Sequence, residues 1–231
     1  MRGLARLWRS RAAASRLDPD AYSAFLEFVL TSVVPHPYAI ISAGHAASYV
    51  LKYAASAPPA AARLVLIAPT WRGPLPTMLD RRPPFLDRLC RLVDLPGIGP
   101  LVYRLNVNQF MMRHMAAGHV YTEPAFLTGE RLRHKLDVVR APGARFASVR
   151  FVTGRLDPLD SRDELLALGR RTRVPTLLLY GAETPPRSRA EMEALAAVSG
   201  IRSVALPRGK LSVHEEFPGT TFEAMAPFLR E

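Results

Sequence analysis

Apolar positions follow two rhythms along this chain, and each change of rhythm marks an element. Tyr22, Phe25, Leu26, Phe28 and Val29 recur at helical spacing behind Asp18-Pro19-Asp20, whose acids suit the positive end of a helix dipole. The helix should stop before Pro35, because a proline restricts the residue ahead of it. Tyr38 to Ser42 is then a short apolar run leading into Gly44, the pattern of a strand buried on both faces of a parallel sheet. Residues 46–57 read as a helix with Val50, Leu51 and Ala54 on one side, stopped by Pro58 and Pro59. Arg63 to Ile67 is a second buried strand. Strand, helix and strand in this order form a βαβ unit with a right-handed crossover.

The middle of the chain changes character. Residues 69–174 are rich in proline and mostly helical in pattern, with the clearer helices at 81–93, 99–115 and 162–171. Residues 151–153 suit strand or helix equally. Thr176 to Tyr180 gives a third buried strand ending at Gly181, and 188–198 a helix with Met192, Leu195 and Ala196 on one face. A fourth strand runs from Arg202 to Leu206. Phe222, Met225, Phe228 and Leu229 make 221–230 an amphipathic closing helix.

The predicted fold class is therefore α/β, an incomplete parallel sheet of about four strands flanked by helices. Its core comes from 36–69 and 174–231, preceded by a basic segment and helix over 1–35. An unstructured loop as long as 70–173 would be rare. The insertion is expected to be a helical lid over the carboxyl ends of the strands, where ligands bind in open α/β sheets.

Composition narrows the function classes. At 48% hydrophobic residues the chain can bury a sizeable core. No window reaches the ~18 consecutive apolar residues of a transmembrane segment. The net charge is +11, carried by 28 arginines and three lysines. Trp71 to Arg173 holds 18 basic residues against 10 acidic ones. A solvated basic surface, or a mouth that draws an anionic ligand or a membrane face, accounts for this excess. Nucleic acid is not the expected partner, since no zinc finger, RNP-like run or glycine-lysine loop is present.

The single cysteine, Cys90, excludes an intrachain disulfide and a cysteine zinc cluster, and its helical surroundings mark it as a core thiol. His114 and His119 are five residues apart, so one helix face does not present both, and His134 lies further on. No metal site and no cofactor is expected. A cytoplasmic protein is the first expectation. The alternative is a plastid or another organelle, because residues 1–16 hold five arginines and no acid, with Leu4, Leu7 and Trp8 able to share a helix face.

The chemistry concentrates at Gly44-His45-Ala46-Ala47-Ser48, where a strand passes through a tight turn into a helix. Nucleophile elbows have this form: the central residue is strained, and the positions two away on each side must be small. Gly44 and Ser48 meet that demand around Ala46. With this turn, the strand order, the insertion and a late histidine, the chain resembles the α/β-hydrolase superfamily, especially its capped bacterial and plastid-type members. The resemblance runs from Tyr38 to the end. It implies His214 as the catalytic histidine and Glu183, after the third strand, as the carboxylate on its ring N–H, with Thr184 as the neighbouring register. It implies His45, Ala47 and Trp71 around a small-molecule pocket beneath the cap. Asp157 and Asp160 fall in the cap.

At the nucleophile position this reading finds Ala46, and a methyl group cannot attack a carbonyl. Ser48 has a steric task, and Ser42 belongs to the strand. The family also builds several strands ahead of the elbow, one of whose loops supplies an oxyanion-hole N–H. Only 37 residues precede Tyr38 here, so the expectation is a truncated fold or one whose sheet edge a protein partner covers. Three functions stay open: a degenerate hydrolase lacking its serine, an enzyme using His214 and Glu183 as an acid–base pair on a small apolar ester or carbonyl compound, and a basic, non-catalytic binding or adaptor module.

Overall fold

A computed structural model of the chain describes residues 17–56 and 61–231. The basic opening stretch with Leu4, Leu7 and Trp8, and the stop at Pro58 and Pro59, lie outside the described residues. In chain order the elements are α1 (Pro19–Phe28) with a wider helical turn (Val29–Val33), β1 (Tyr38–Ala43), α2 (Ala46–Ser56), β2 (Ala61–Ile67), α3 (Pro74–Leu79), α4 (Phe85–Asp94), α5 (Ile98–Asn106), α6 (Gln109–Met115), a second wide turn (Ala116–Val120), α7 (Gly129–Arg140), α8 (Ala144–Val152), α9 (Arg162–Arg171), β3 (Thr176–Gly181), α10 (Pro186–Ala196), β4 (Ile201–Leu206), α11 (Val213–Glu216) and α12 (Pro218–Arg230). No helix among the described residues is long and apolar enough to cross a membrane.

The four strands form one parallel sheet in the order β1-β2-β3-β4. Ser42 lies beside Leu66, Leu66 beside Leu178, and Leu178 beside Ser203. Alternation along β2 explains why its residues are apolar without a break. Leu64 and Leu66 join a cluster with Val50, Leu51, Met192 and Leu195, whereas Val65 and Ile67 join Leu177, Leu179 and Phe228 on the other face. Leu64, Val65 and Leu66 are wholly inaccessible to solvent. Burying one such side chain stabilises the fold by about 1.5–3 kcal/mol.

The chain divides into two compact units. One holds the sheet: Ser23–Trp71, Ala117–Pro124 and Pro158–Glu231. The other comprises Arg72–Ala116 and Ala125–Asp157, with residues 17–22. The stretch read as a single insertion over 70–173 thus contributes to both. Ala117–Pro124 belongs with the sheet, and so does α9, which packs on α2 and α10. Ser161 caps α9 by accepting from the Glu164 N–H at 3.1 Å, and the Glu164 carboxylate reaches back to the Asp160 N–H at 2.9 Å.

The second unit is helical. Residues 151–153 resolve as the end of α8 and its cap, not as strand. The helix read at 81–93 starts only at Phe85, behind Pro83 and Pro84. The helix read at 99–115 is two helices, because the Asn108 side chain accepts from the Met111 N–H at 2.9 Å and restarts the chain as α6. Cys90, Val93 and Val149 form its core, with Val102 and Tyr103 against them. The Cys90 thiol lies 2.8 Å from the Thr153 hydroxyl, and burial pushes its pKa up. Asp94 and Arg150 face each other through two hydrogen bonds of 2.8 and 2.9 Å.

Candidate functional site

The residues that bear on the site lie in the sheet unit, most of them in the segments that follow its four strands. At the end of β1 the chain turns at Gly44 and His45, and α2 begins at Ala46. Gly44 holds the turn from both sides. Its N–H donates to the Ile67 carbonyl at 2.9 Å, and its own carbonyl accepts from the Ala47 and Thr70 N–H groups at 3.2 and 3.1 Å. Its φ is +59°, in the left-handed region that glycine alone adopts at little cost. A β-carbon added there would meet nothing within 4 Å.

The left-handed residue of the turn lies two positions before Ala46. The bend expected at Ala46 lies at Gly44, and Ala46 is an exposed first residue of helix with no left-handed backbone. Both placements satisfy the small-residue rule: Gly44 and Ser48 flank Ala46, while Ser42 and Ala46 flank Gly44. The pattern of residue sizes is ambiguous by two positions, and only the backbone dihedral separates the two readings.

The neighbours take the following places. Ala47 is fully buried, and Trp71 is nearly so; both sit in the apolar cluster around Leu66 and Leu51. His45 is half-buried, its ring 5.7 Å from that of Tyr49 in an edge-on arrangement. The Ser48 hydroxyl donates to the Thr70 carbonyl at 2.9 Å, tying α2 to the segment after β2. Ser48 therefore acts through a hydrogen bond as well as through its small size.

His214 is half-buried in the short helix α11, next to Val213, whose side chain is wholly enclosed. The loop leading to it is clamped to the loop after β3. Ala182 N–H donates to Leu206, Glu183 N–H donates to Gly209, and the Gly209 N–H donates to the Glu183 carboxylate at 2.9 Å. A β-carbon on Gly181 would collide with the Gly209 carbonyl, so this approach requires glycine.

Glu183 has an exposed side chain, and its carboxylate also accepts from the Thr122 hydroxyl at 2.6 Å. The Thr122 hydroxyl, then the Gly209 N–H, holds its pKa below the usual carboxylate range. Thr184 is the residue of this loop that turns inward. It is 3% exposed, and its hydroxyl finds no hydrogen-bond partner among the described residues.

The sequence reading did not foresee the role of residues 117–124. Glu216 accepts from the backbone N–H groups of Thr122 and Glu123 at 2.8 and 2.6 Å, and Tyr121 donates to Glu215 at 2.7 Å. Lys210 donates to the Ala117 carbonyl, Ser212 N–H donates to Val120, and Arg208 pairs with Glu123. Burial and the Glu215 carboxylate raise the Tyr121 pKa. The segment is a strap across the histidine loop. Its sequence carries few periodic apolar residues, so the acids at 215 and 216 were its only visible signal.

His114 and His119 fall in α6 and in the turn after it, and among the described residues no group of three potential ligands is placed to hold a metal. Asp157 receives the Gly73 N–H at 2.8 Å and serves the helical unit's backbone.

No known family model matches this sequence, and no curated protein matches it. Solved structures do. A bromoperoxidase from Bacillus anthracis is 12% identical over 93% of this chain and 75% of its own, with a TM-score of 0.62. A serine hydrolase involved in carbazole degradation is 13% identical over 93% and 72%, with a TM-score of 0.66. MenH from S. aureus is 14% identical over 92% and 75%, with a TM-score of 0.63. With its parallel sheet, its strand-to-helix turn and its late histidine loop in this order, the chain has the α/β-hydrolase fold.

Proposed function

We propose that this is an α/β-hydrolase-fold protein whose elbow carries no nucleophile, and that it holds a small ligand without forming an acyl-enzyme. The observation that carries this reading is Gly44. It has the left-handed backbone of an elbow's central residue, with open space where a side chain would project. A hydrogen atom stands where attack would begin. Thr184 supports the same reading, because the inward-facing residue after β3 is not an acid. His214 alone keeps the residue type that the fold's chemistry uses. Glu183 gives little support to an acid–base pair with His214, since its carboxylate already takes two donors as a structural anchor.

The test is to restore the missing groups. Wild-type protein should not react with a fluorophosphonate probe, which labels activated serines. Gly44→Ser with Thr184→Asp should label and show weak esterase activity, after losing about 1–2 kcal/mol of stability for a side chain at positive φ. Ala46→Ser should stay unreactive, because residue 46 opens the helix. Labelling of a wild-type serine, identified by mass spectrometry, would refute the reading, as would stronger labelling of Ala46→Ser than of the Gly44 variant.

A further inference from the structure

Helix α5 is apolar on two sides. Val102 and Tyr103 pack on the Cys90–Val149 core, and the Tyr103 hydroxyl donates to the Val139 carbonyl. Ile98, Leu101 and Leu105 form a second stripe, and they are 54%, 61% and 65% exposed. A helix that is apolar all round is ordinarily buried all round. Leu92 and Leu95 before this helix and Phe110 after it are exposed as well. Phe110 is 76% exposed.

The polar residues among these positions are nearly all of one sign. Arg88, Arg91, Arg104 and Arg113 are exposed, and none is in an ion pair among the described residues. Asp94, the one acid between residues 88 and 115, is engaged by Arg150. The helical unit as a whole, counted over 72–116 and 125–157, carries fourteen basic residues against six acidic, a net +8.

We propose that this face docks on an anionic phospholipid surface. Leucine, isoleucine and phenylalanine would enter the headgroup–acyl boundary, and the arginines would meet the phosphates. Charge decides among occupants. A second copy would bring another +8 against the first. A nucleic-acid backbone would satisfy the arginines but leave the apolar stripe against phosphate. A negatively charged bilayer suits both. The inference is independent of the elbow: it stands or falls without reference to Gly44, His214 or any ligand.

The experiment is vesicle flotation with the full chain. One set of vesicles is phosphatidylcholine alone, the other roughly one third phosphatidylglycerol, with ionic strength raised from about 0.05 to about 0.5 M. Binding is expected only to the anionic set and should weaken with salt. The double variant Leu101→Glu, Leu105→Glu should abolish it. Each of Arg88→Gln, Arg91→Gln, Arg104→Gln and Arg113→Gln should weaken it about fivefold. Phe222→Glu, an exposed apolar site in the sheet unit, should leave it unchanged. Circular dichroism confirms that each variant is folded. Equal binding to neutral vesicles, no flotation at all, or full binding by the folded double variant would overturn the proposal. So would tight binding to duplex DNA that the double variant retains, since that would assign the arginines to nucleic acid.

Discussion

The two units are built from the same amino-acid vocabulary and differ in where they put it. The sheet unit carries twelve basic and twelve acidic residues, a net charge of zero, while the helical unit carries all of the excess outside the first 22 residues. The sheet unit keeps its leucines inside: Leu51, Leu64, Leu66, Leu178, Leu179 and Leu195 are at or near zero exposure. The helical unit leaves Leu101, Leu105 and Phe110 largely in solvent around a small core. Strands buried on both faces enclose apolar side chains from two directions, whereas short helices joined at Pro96, Gly97 and Asn108 enclose them from one. One unit is neutral and encloses its leucines; the other is positively charged and leaves several of them in solvent.

Cavity mutants test this contrast most strongly. Leu66→Ala should cost about 2–5 kcal/mol in chemical denaturation, toward the upper end, because both flanking strands fix the void. Leu86→Ala, equally buried in α4, should sit at the lower end, since its neighbours are short helices that can close in. An equal or larger loss at Leu86 would erase the distinction. Arg150→Met comes next. It leaves Asp94 without its two-pronged partner in a partly buried site, and a loss of about 1–3 kcal/mol is expected. If the denaturation midpoint does not move, that pair does not organise the helical unit.

Glu183→Gln is the smallest change and is best read through pH. The Glu183 pKa is depressed in the folded chain, so its contribution is present above the unfolded value of about 4.3 and fades as pH falls through the folded value. The variant should therefore be less stable than wild type at neutral pH, and the gap should close on acidification. A gap that widens as pH falls would mean the strap at Thr122 is not held by the ionised carboxylate.

Legibility in the sequence divided along the same line. The parallel sheet could be read because residues around Val65 and Leu178 are apolar without interruption, and such runs fit few structures. Helix α9 was read to the residue from its periodicity, and its start coincides with the cap that Ser161 and Glu164 form. The single long helix over 99–115 failed because Asn108 competes for the backbone through its side chain, an effect that periodicity does not register. The strand-to-helix turn was legible, but its left-handed residue is Gly44, two positions before Ala46, because residue size is a weaker discriminator than backbone dihedral. The strap over 117–124 was not read: four of its bonds use its main chain, at Ala117, Val120, Thr122 and Glu123, and main-chain geometry has no letter in the sequence.

One consequence follows from the contact between Gly181 and Gly209. The imidazole at 214 is carried by a loop that is pinned by main chain against main chain, with no room for even one methyl group between. Its placement is therefore set in large part by the skeleton, through the Gly181–Gly209 approach and the main-chain bonds beside it. Main-chain contacts of this kind do not depend on which side chains stand at 44 and 184.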